Sequence, residues 1–174
     1  TANGRALNKK LDLPAGKYQV TFDADIFYNE TVTDQTKLTH SFIYGVYKGV
    51  DVTKTSNGRL FDSGATLIST TSVGDTFSVR EGERNGVKIY DYTATSGSAS
   101  TKNYRISFNG ATANSVKCSI KMEFELDGSE ENVFLSLCVN NYVTAYVDNI
   151  VVTREEAGVD GVLVTPNSDF ENGI

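Results

Sequence analysis

The side chains whose types and spacing best suit a chemical task in this sequence are aromatic rings placed near polar groups. Aromatic rings stack on the apolar C–H faces of sugars, while amide, carboxylate and guanidinium groups beside them bind sugar hydroxyls. The chain has nine Tyr and no Trp, so tyrosine would have to form such a platform. Tyr90 and Tyr92 lie two residues apart, which on a strand places them about 7 Å apart on one face.

Further tyrosines are candidates for the same kind of surface. They are Tyr28, Tyr44, Tyr47, Tyr104 and Tyr142, and Arg105 follows Tyr104 with a guanidinium group that could bind hydroxyls. The ordinary alternative is that each tyrosine serves its strand, because tyrosine is a strong strand former whose ring packs while its hydroxyl reaches water. Both interpretations stay open at the level of sequence.

Candidates for enzymatic chemistry are weaker. Asp23 and Asp25 lie on one face of a predicted strand about 7 Å apart, a separation that overlaps that of the carboxylates in an inverting glycosidase. Glu123 and Glu125 show the same pattern, so we favour the interpretation that such pairs lie on the solvent-exposed face of an amphipathic strand. His40 is the single histidine and stands near no nucleophile motif. The sequence therefore predicts a protein that is not an enzyme. A small glycoside hydrolase or lyase is the third function that we consider, after two non-catalytic ones.

Charge and hydropathy argue against two classes of partner. Lys and Arg number 16 against 22 Asp and Glu, a formal net charge of −6, and no basic run could release counterions from a phosphate backbone. No apolar stretch approaches the roughly 20 residues that a helix needs to span a bilayer. We therefore expect neither a nucleic-acid partner nor a membrane span.

An alternation of apolar and polar residues with a period of two runs through most of the chain and predicts strands. It is clearest in Gly16–Tyr28, where the even positions are apolar, and in Val116–Leu126 and Val133–Val139. The other predicted strands are Ala6–Leu13, Ser41–Lys48, Ala65–Thr70, Thr76–Val79, Val87–Thr93, Tyr104–Phe108, Val143–Val152 and Gly161–Thr165. About ten short strands indicate an all-β, two-sheet antiparallel sandwich.

Local signals add turns and loops to this scheme. Asn85-Gly86 favours a type I′ hairpin between the strands on either side of it. Asp51–Gly58 and Thr95–Lys102 are rich in Ser, Thr, Gly and Asn and predict surface loops. Alternation places Cys118 and Cys138 on opposite faces of their strands, which argues against a disulfide between them.

Three short motifs carry a family resemblance. In chain order they are Asn3-Gly4-Arg5-Ala6-Leu7, then Leu13-Pro14-Ala15-Gly16-Lys17-Tyr18-Gln19-Val20, and finally Tyr146-Val147-Asp148-Asn149-Ile150. In this order and spacing they resemble carbohydrate-binding modules of the galactose-binding-like superfamily, the grouping that includes families four, nine and twenty-two. The resemblance implies a jelly-roll sandwich and non-catalytic binding of a polysaccharide or oligosaccharide.

The resemblance also implies a structural calcium ion that ties the first and last strands. Asp148 matches the ligand of the closing strand, and Glu171 matches the acid of the opening strand, with backbone carbonyls completing the oxygens that Ca²⁺ takes. The opening motif, Asn167-Ser168-Asp169-Phe170-Glu171-Asn172-Gly173, stands last in this chain. It either begins a following repeat, which we favour, or folds back as a missing first strand. The alternative to calcium is that the side chains of Asp148 and Asn149 form hydrogen bonds with the backbone of a loop or turn.

These features predict a sandwich module at 1–154, a linker at 155–166, and the start of a following repeat or a swapped terminal strand at 167–174. We expect a piece of a multi-modular extracellular or cell-surface protein, in which the module holds polysaccharide near a catalytic domain such as a glycoside hydrolase. Its partners would be the polysaccharide and neighbouring modules of the same polypeptide. The alternative function is a structural or adhesive β-sandwich repeat on a cell surface.

Overall fold

Strands make up most of the computed structural model, which describes residues 5–28, 41–70, 77–81, 88–96, 99–107, 115–139, 143–156 and 159–163. The strands are β1 (Arg5–Lys10), β2 (Gly16–Tyr28), β3 (Ser41–Lys48), β4 (Thr66–Leu67), β5 (Phe77–Glu81), β6 (Lys88–Ser96), β7 (Ala99–Ser107), β8 (Ser115–Leu126), β9 (Phe134–Val139), β10 (Val143–Glu156) and β11 (Val159–Leu163). Two 3₁₀ turns, Val52–Lys54 and Ser56–Gly58, follow β3. The all-β prediction is confirmed.

The strands form two sheets with antiparallel pairing. Sheet A has the order β1-β9-β3-β7-β6, with β4 also paired to β3, and sheet B has the order β11-β10-β2-β8-β5. The two sheets pack through a shared cluster of buried side chains that includes Phe22 from sheet B and Phe42 from sheet A. The prediction of two antiparallel sheets is therefore confirmed, while the jelly-roll connectivity stays a prediction.

The hairpin predicted around Asn85-Gly86 is wrong. Its two arms lie in different sheets, because β5 pairs with β8 in sheet B and β6 pairs with β7 in sheet A. Lys88 pairs with Ser107, and Asn85 and Gly86 themselves lie outside the described residues. A turn signal is local, whereas the strand that each arm pairs with is decided by the packing of the whole sandwich.

The central strands of sheet B follow the period of two that the sequence predicted. In β2 the residues Tyr18, Val20, Phe22, Ala24 and Ile26 are buried, and the residues between them are not. The same holds in β8 for Cys118, Ile120, Met122, Phe124 and Leu126. One face of sheet B therefore lies in the core between the sheets, and the other forms the surface of the molecule.

Sheet A differs because its strands β3 and β9 are buried on both faces. All six residues from Phe42 to Tyr47 are buried. A second apolar cluster on the outer face joins Ile43, Tyr47 and Phe134 to Leu60, Phe61 and Ala65. The chain between β3 and β4 thus covers the outside of sheet A, so that burial in β3 no longer alternates.

The two cysteines lie in different clusters, as the alternation predicted. Cys118 is in the core between the sheets, and Cys138 is in the outer cluster of sheet A. Both are described and buried, and no disulfide joins them. Their thiols are shielded by packing.

Two segments predicted without regular structure contain strands. Residues 95–102, predicted as a surface loop, belong largely to the β6–β7 hairpin, in which Thr95 pairs with Ser100 and Ser96 with Ala99. The predicted linker begins inside β10, and β11 pairs back onto β10 through Thr153–Leu163 and Arg154–Val162. The loop prediction is wrong because backbone hydrogen bonds alone can hold a polar hairpin. The domain boundaries stay a prediction.

Candidate functional site

Two aromatic side chains are exposed on the outer face of sheet B. Tyr146 on β10 is 66% exposed and Phe27 on β2 is 38% exposed, and they are the exposed large apolar residues of the described part of the chain. Their ring centroids are 5.8 Å apart with planes at 83°. In the register of the two strands, Tyr146 lies opposite Asp25 and Phe27 opposite Thr144, so the two rings are diagonal neighbours. We call Phe27 and Tyr146 the aromatic pair.

Two charged residues, Asp25 and Lys117, lie in the same row as Tyr146 across sheet B. Tyr146, Asp25 and Lys117 lie opposite one another on β10, β2 and β8. The next row toward the middle of the strands consists of Asp148, Asp23 and Ser119. Successive rows on one face of a strand are about 7 Å apart. Hydrogen-bonding groups therefore lie within one sugar ring's length of an exposed aromatic ring.

A β-bulge in β10 shapes the second row. The register with β2 shifts between Asp148 and Val151, so Asn149 and Ile150 together lie opposite a single residue, Phe22. Asn149 has φ 54°, a left-handed conformation that Asn adopts more readily than most residues. Ile150 is buried in the core while Asp148 and Asn149 are both exposed. The bulge thus places two consecutive polar side chains on the surface.

Hydrogen bonds hold this second row in a fixed arrangement. Asp23 accepts a hydrogen bond at Oδ1 from Ser119 Oγ at 2.5 Å and one at Oδ2 from Asn149 Nδ2 at 2.9 Å. Asp148 Oδ1 accepts the backbone N–H of Asn149 at 2.8 Å. We call Asp23, Ser119, Asp148 and Asn149 the polar network. Asp23 therefore serves to position Asn149, with both carboxylate oxygens engaged.

The predicted calcium ligands are only partly within the described structure. Asp148 lies on the bulge of β10 with one carboxylate oxygen bound to a backbone N–H, and Glu171 lies outside the described residues. Among the residues that are described, no group of three or more His, Cys, Asp and Glu side chains is placed to hold a metal ion. The turn interpretation of Asp148 and Asn149 matches the observed hydrogen bond, and the calcium site stays a prediction.

The predicted binding tyrosines are placed in sheet A and at the end of β2. Tyr90 pairs with Arg105, Tyr92 with Asn103, and Tyr104 with both Asp91 and Tyr44. Tyr28 pairs with Val143. The structure thus brings Tyr90, Tyr92, Tyr104 and Arg105 onto the neighbouring strands β6 and β7. Their role in binding stays a prediction.

Tyr44 has a different position from the one that sugar binding requires. It is 0% exposed, and its ring meets Phe22 edge to face with centroids 6.0 Å apart and stacks on Phe42 at 5.9 Å. Tyr47 is also buried, in the outer cluster of sheet A. Neither ring has a surface on which a sugar could stack. Tyr44 and Tyr47 therefore serve the packing of their strand, which is the alternative to sugar binding that the sequence left open.

Sequence reasoning missed the aromatic pair. Phe27 occupies an odd position of β2, where the pattern otherwise places polar residues such as Asp23 and Asp25. Tyr146 stands between Thr144 and Asp148 in the polar half of the β10 alternation. An aromatic residue on the polar side of an amphipathic strand was the signal available, and pairing of the two strands turns it into a surface.

A cavity of about 500 Å³ lies near the other end of β2, lined by residues 10–13, 126, 128 and 130–133. Gly16 and Phe27 are eleven residues apart on β2, which corresponds to about 36 Å. Glu130, whose side chain is 6% exposed, accepts hydrogen bonds from the N–H groups of Asp127 and Gly128 and pairs with Lys48 at 3.5 Å. These contacts hold the β8–β9 loop, so we assign Glu130 a structural role.

Comparison of the chain with protein-family models, curated proteins and solved structures finds no match. The helical segments of the described chain are the two short 3₁₀ turns, and neither has the length and apolar character to cross a membrane.

Proposed function

We propose that this protein is a non-catalytic carbohydrate-binding module and that the outer face of sheet B, around the aromatic pair, binds the carbohydrate. The single observation that carries the proposal is the exposure of Tyr146 beside Asp25, Lys117 and the polar network. An aromatic ring in water is costly to leave uncovered, and its face suits the C–H face of a pyranose.

The polar groups beside the rings supply what stacking lacks. Stacking is tolerant of sugar identity, whereas hydrogen bonds to hydroxyl groups select among sugars. Asp25 and Lys117 lie in the row of Tyr146, and Asp148 and Asn149 lie in the next row. The motif resemblance to galactose-binding-like modules supports the same function and the jelly-roll form of the sandwich.

The expected affinity is modest because the site is an open sheet surface with few ordered contacts. Binding of a small ligand must offset the loss of translational and rotational freedom. A module of this kind gains strength when several copies, or a module and a catalytic domain, act on one chain of polysaccharide. This favours a place in a multi-modular extracellular protein. The structural calcium ion belongs to the same proposal, because the motif resemblance implies it.

The test is isothermal titration of the wild-type protein with soluble fragments of xylan, β-glucan, starch and pectin. We expect one of them to bind, and Tyr146→Ala to weaken that binding at least tenfold without changing the thermal unfolding midpoint. Thr153→Ala is the matched control, because Thr153 is on the same strand and pairs with Gln19 far from the aromatic pair. It should bind like the wild type.

Two results would count against the proposal. If none of the four fragments binds, carbohydrate binding is overturned and the adhesive repeat is favoured. In that case Tyr146→Ala should weaken a contact with another protein. Binding that survives Tyr146→Ala unchanged would move the site elsewhere, with the β6–β7 tyrosines as the next surface to test.

A further inference from the structure

We propose that the polar network recognises a second sugar residue, so that the site binds two consecutive sugars along β10, with Asp148 and Asn149 as its specificity-determining residues. This inference rests on the proposed carbohydrate function of the aromatic pair. It adds the length of the ligand, its direction on the sheet and the groups that select it.

The bulge in β10 exposes two consecutive polar side chains. In a regular strand, consecutive side chains point to opposite faces, so one surface receives only every second residue. The bulge at Asn149 and Ile150 breaks this rule and exposes Asp148 and Asn149 together. Bulges are typical of places where a strand re-aims a side chain.

The side chain of Asn149 is held in place before any ligand binds. Its Nδ2 donates to Asp23 Oδ2, and Ser119 fixes the other oxygen of the same carboxylate. The amide therefore presents its Oδ1 in a fixed direction, and Asp148 is oriented by its bond to the Asn149 N–H. Groups fixed in advance lose little conformational entropy on binding, which raises affinity and selectivity.

The spacing of Tyr146 and Asp148 suits two consecutive sugars of one chain. Tyr146 and Asp148 are two residues apart on β10, or about 7 Å, comparable to the length of one pyranose unit. A sugar stacked on Tyr146 therefore places its chain neighbour over Asp148 and Asn149 when the ligand runs along the strand. The aromatic ring and the polar network would then contact successive residues of one oligosaccharide.

The groups that would face the second sugar are hydrogen-bond acceptors. A carboxylate oxygen of Asp148 and the amide oxygen of Asn149 are both acceptors, so the second sugar must donate hydrogen bonds from hydroxyl groups. Hydrogen bonds from hydroxyls to a carboxylate are stronger than those to neutral oxygens. The negative charge of Asp148 also disfavours a carboxylate at that position. The second residue is thus a sugar with adjacent hydroxyls and no acid group.

The experiment uses the mono-, di- and hexasaccharides of the same four polysaccharides, titrated into wild type, Tyr146→Ala, Asp148→Asn and Asn149→Gly. Asn149→Gly keeps the left-handed backbone accessible while removing the amide. We expect the wild type to bind the disaccharide at least tenfold more tightly than the monosaccharide. Asp148→Asn and Asn149→Gly should each lose part of this gain, whereas Tyr146→Ala should weaken the binding of monosaccharide and disaccharide alike.

The outcomes separate this inference from the proposed function. If Asp148→Asn and Asn149→Gly keep the full disaccharide gain while Tyr146→Ala abolishes binding, the second-sugar site is overturned and the aromatic site stands. If the wild type binds no sugar, both fail. Wild-type protein treated with a chelator provides the control for calcium. A disaccharide gain lost by the chelator alone would assign Asp148 to the ion and overturn its direct role.

Discussion

Phe22 and Phe27 lie on the same strand and face opposite sides of sheet B, so replacing each by alanine tests the sandwich directly. Phe22 is 2% exposed and meets the rings of Phe42 and Tyr44 at centroid distances of 6.2 and 6.0 Å. Removing a fully buried phenylalanine typically costs about 3–5 kcal/mol, through lost burial and the cavity left behind. We expect Phe22→Ala to lower the free energy of unfolding by this amount.

Phe27 is the matched control, because it has the same chemistry, the same strand and 38% exposure. Burying a whole phenylalanine stabilises a protein by about 1.5–3 kcal/mol, and Phe27 buries roughly three fifths of its surface without closing a core. Phe27→Ala should therefore cost about 1–2 kcal/mol. The two variants should differ by at least about 1–2 kcal/mol, with the larger loss at Phe22.

Urea unfolding followed by circular dichroism measures both costs, since the shift in midpoint at constant slope reports stability. A chain of this size should lose roughly 2–4 °C of melting temperature per kcal/mol. Equal losses, or a larger loss for Phe27→Ala, would refute the assignment of faces, because a register shift of one residue exchanges the two sides of a strand.

Three further predictions concern the bulge, the β8–β9 loop and the thiols. Asn149→Gly should be more stable than Asn149→Ala by about 1 kcal/mol in urea unfolding, since glycine, unlike alanine, adopts φ 54° without strain; the reverse order would argue against the bulge. Burial alone would raise the pKa of Glu130, but hydrogen bonds from backbone N–H groups, those of Asp127 and Gly128 among them, lower it below its ordinary value. A lowered folded-state pKa stabilises the protein above the ordinary carboxylate pKa of about 4.3, and this contribution is lost as pH falls through the lower value. The stability difference between wild type and Glu130→Gln should therefore shrink as pH falls below about 5, and a difference independent of pH would contradict the loop contacts. Cys118 and Cys138 are buried, so neither should react with a thiol-specific chromogenic reagent in the native protein, and both should react in guanidinium chloride; a rapid native reaction would place a thiol at the surface.

Much of the fold could be predicted because its signals are local. Alternation alone predicted Gly16–Tyr28 and Ser41–Lys48 with the bounds that the structure has for β2 and β3. It also placed Cys118 and Cys138 on opposite faces. Each of these inferences needs only the side-chain period of two, which appears in the sequence of any half-buried strand as alternating apolar and polar residues.

The site could not be predicted in the same way. Tyr44 and Tyr146 are the same residue in predicted strands, yet one is 0% exposed and the other 66%. The difference comes from tertiary packing, because Phe22 of the facing sheet and Phe42 of the same strand pack against Tyr44, whereas Tyr146 lies opposite Asp25 on the outer face of sheet B. The sequence alone therefore does not separate a buried tyrosine from an exposed one.

The sequence by itself determined that this chain is all β, where most of its strands run, and which side of β2 and β8 is apolar. The tertiary structure decided the partners of β5 and β6, the burial of β3 and β9 on both faces, and the proximity of Phe27, Tyr146 and the polar network. The physical reason is range. A strand's alternation follows from the opposite directions of consecutive side chains, which is a local property. Strand pairing, the covering of the outer face of sheet A and the bulge at Asn149 depend on segments that only the folded chain brings together.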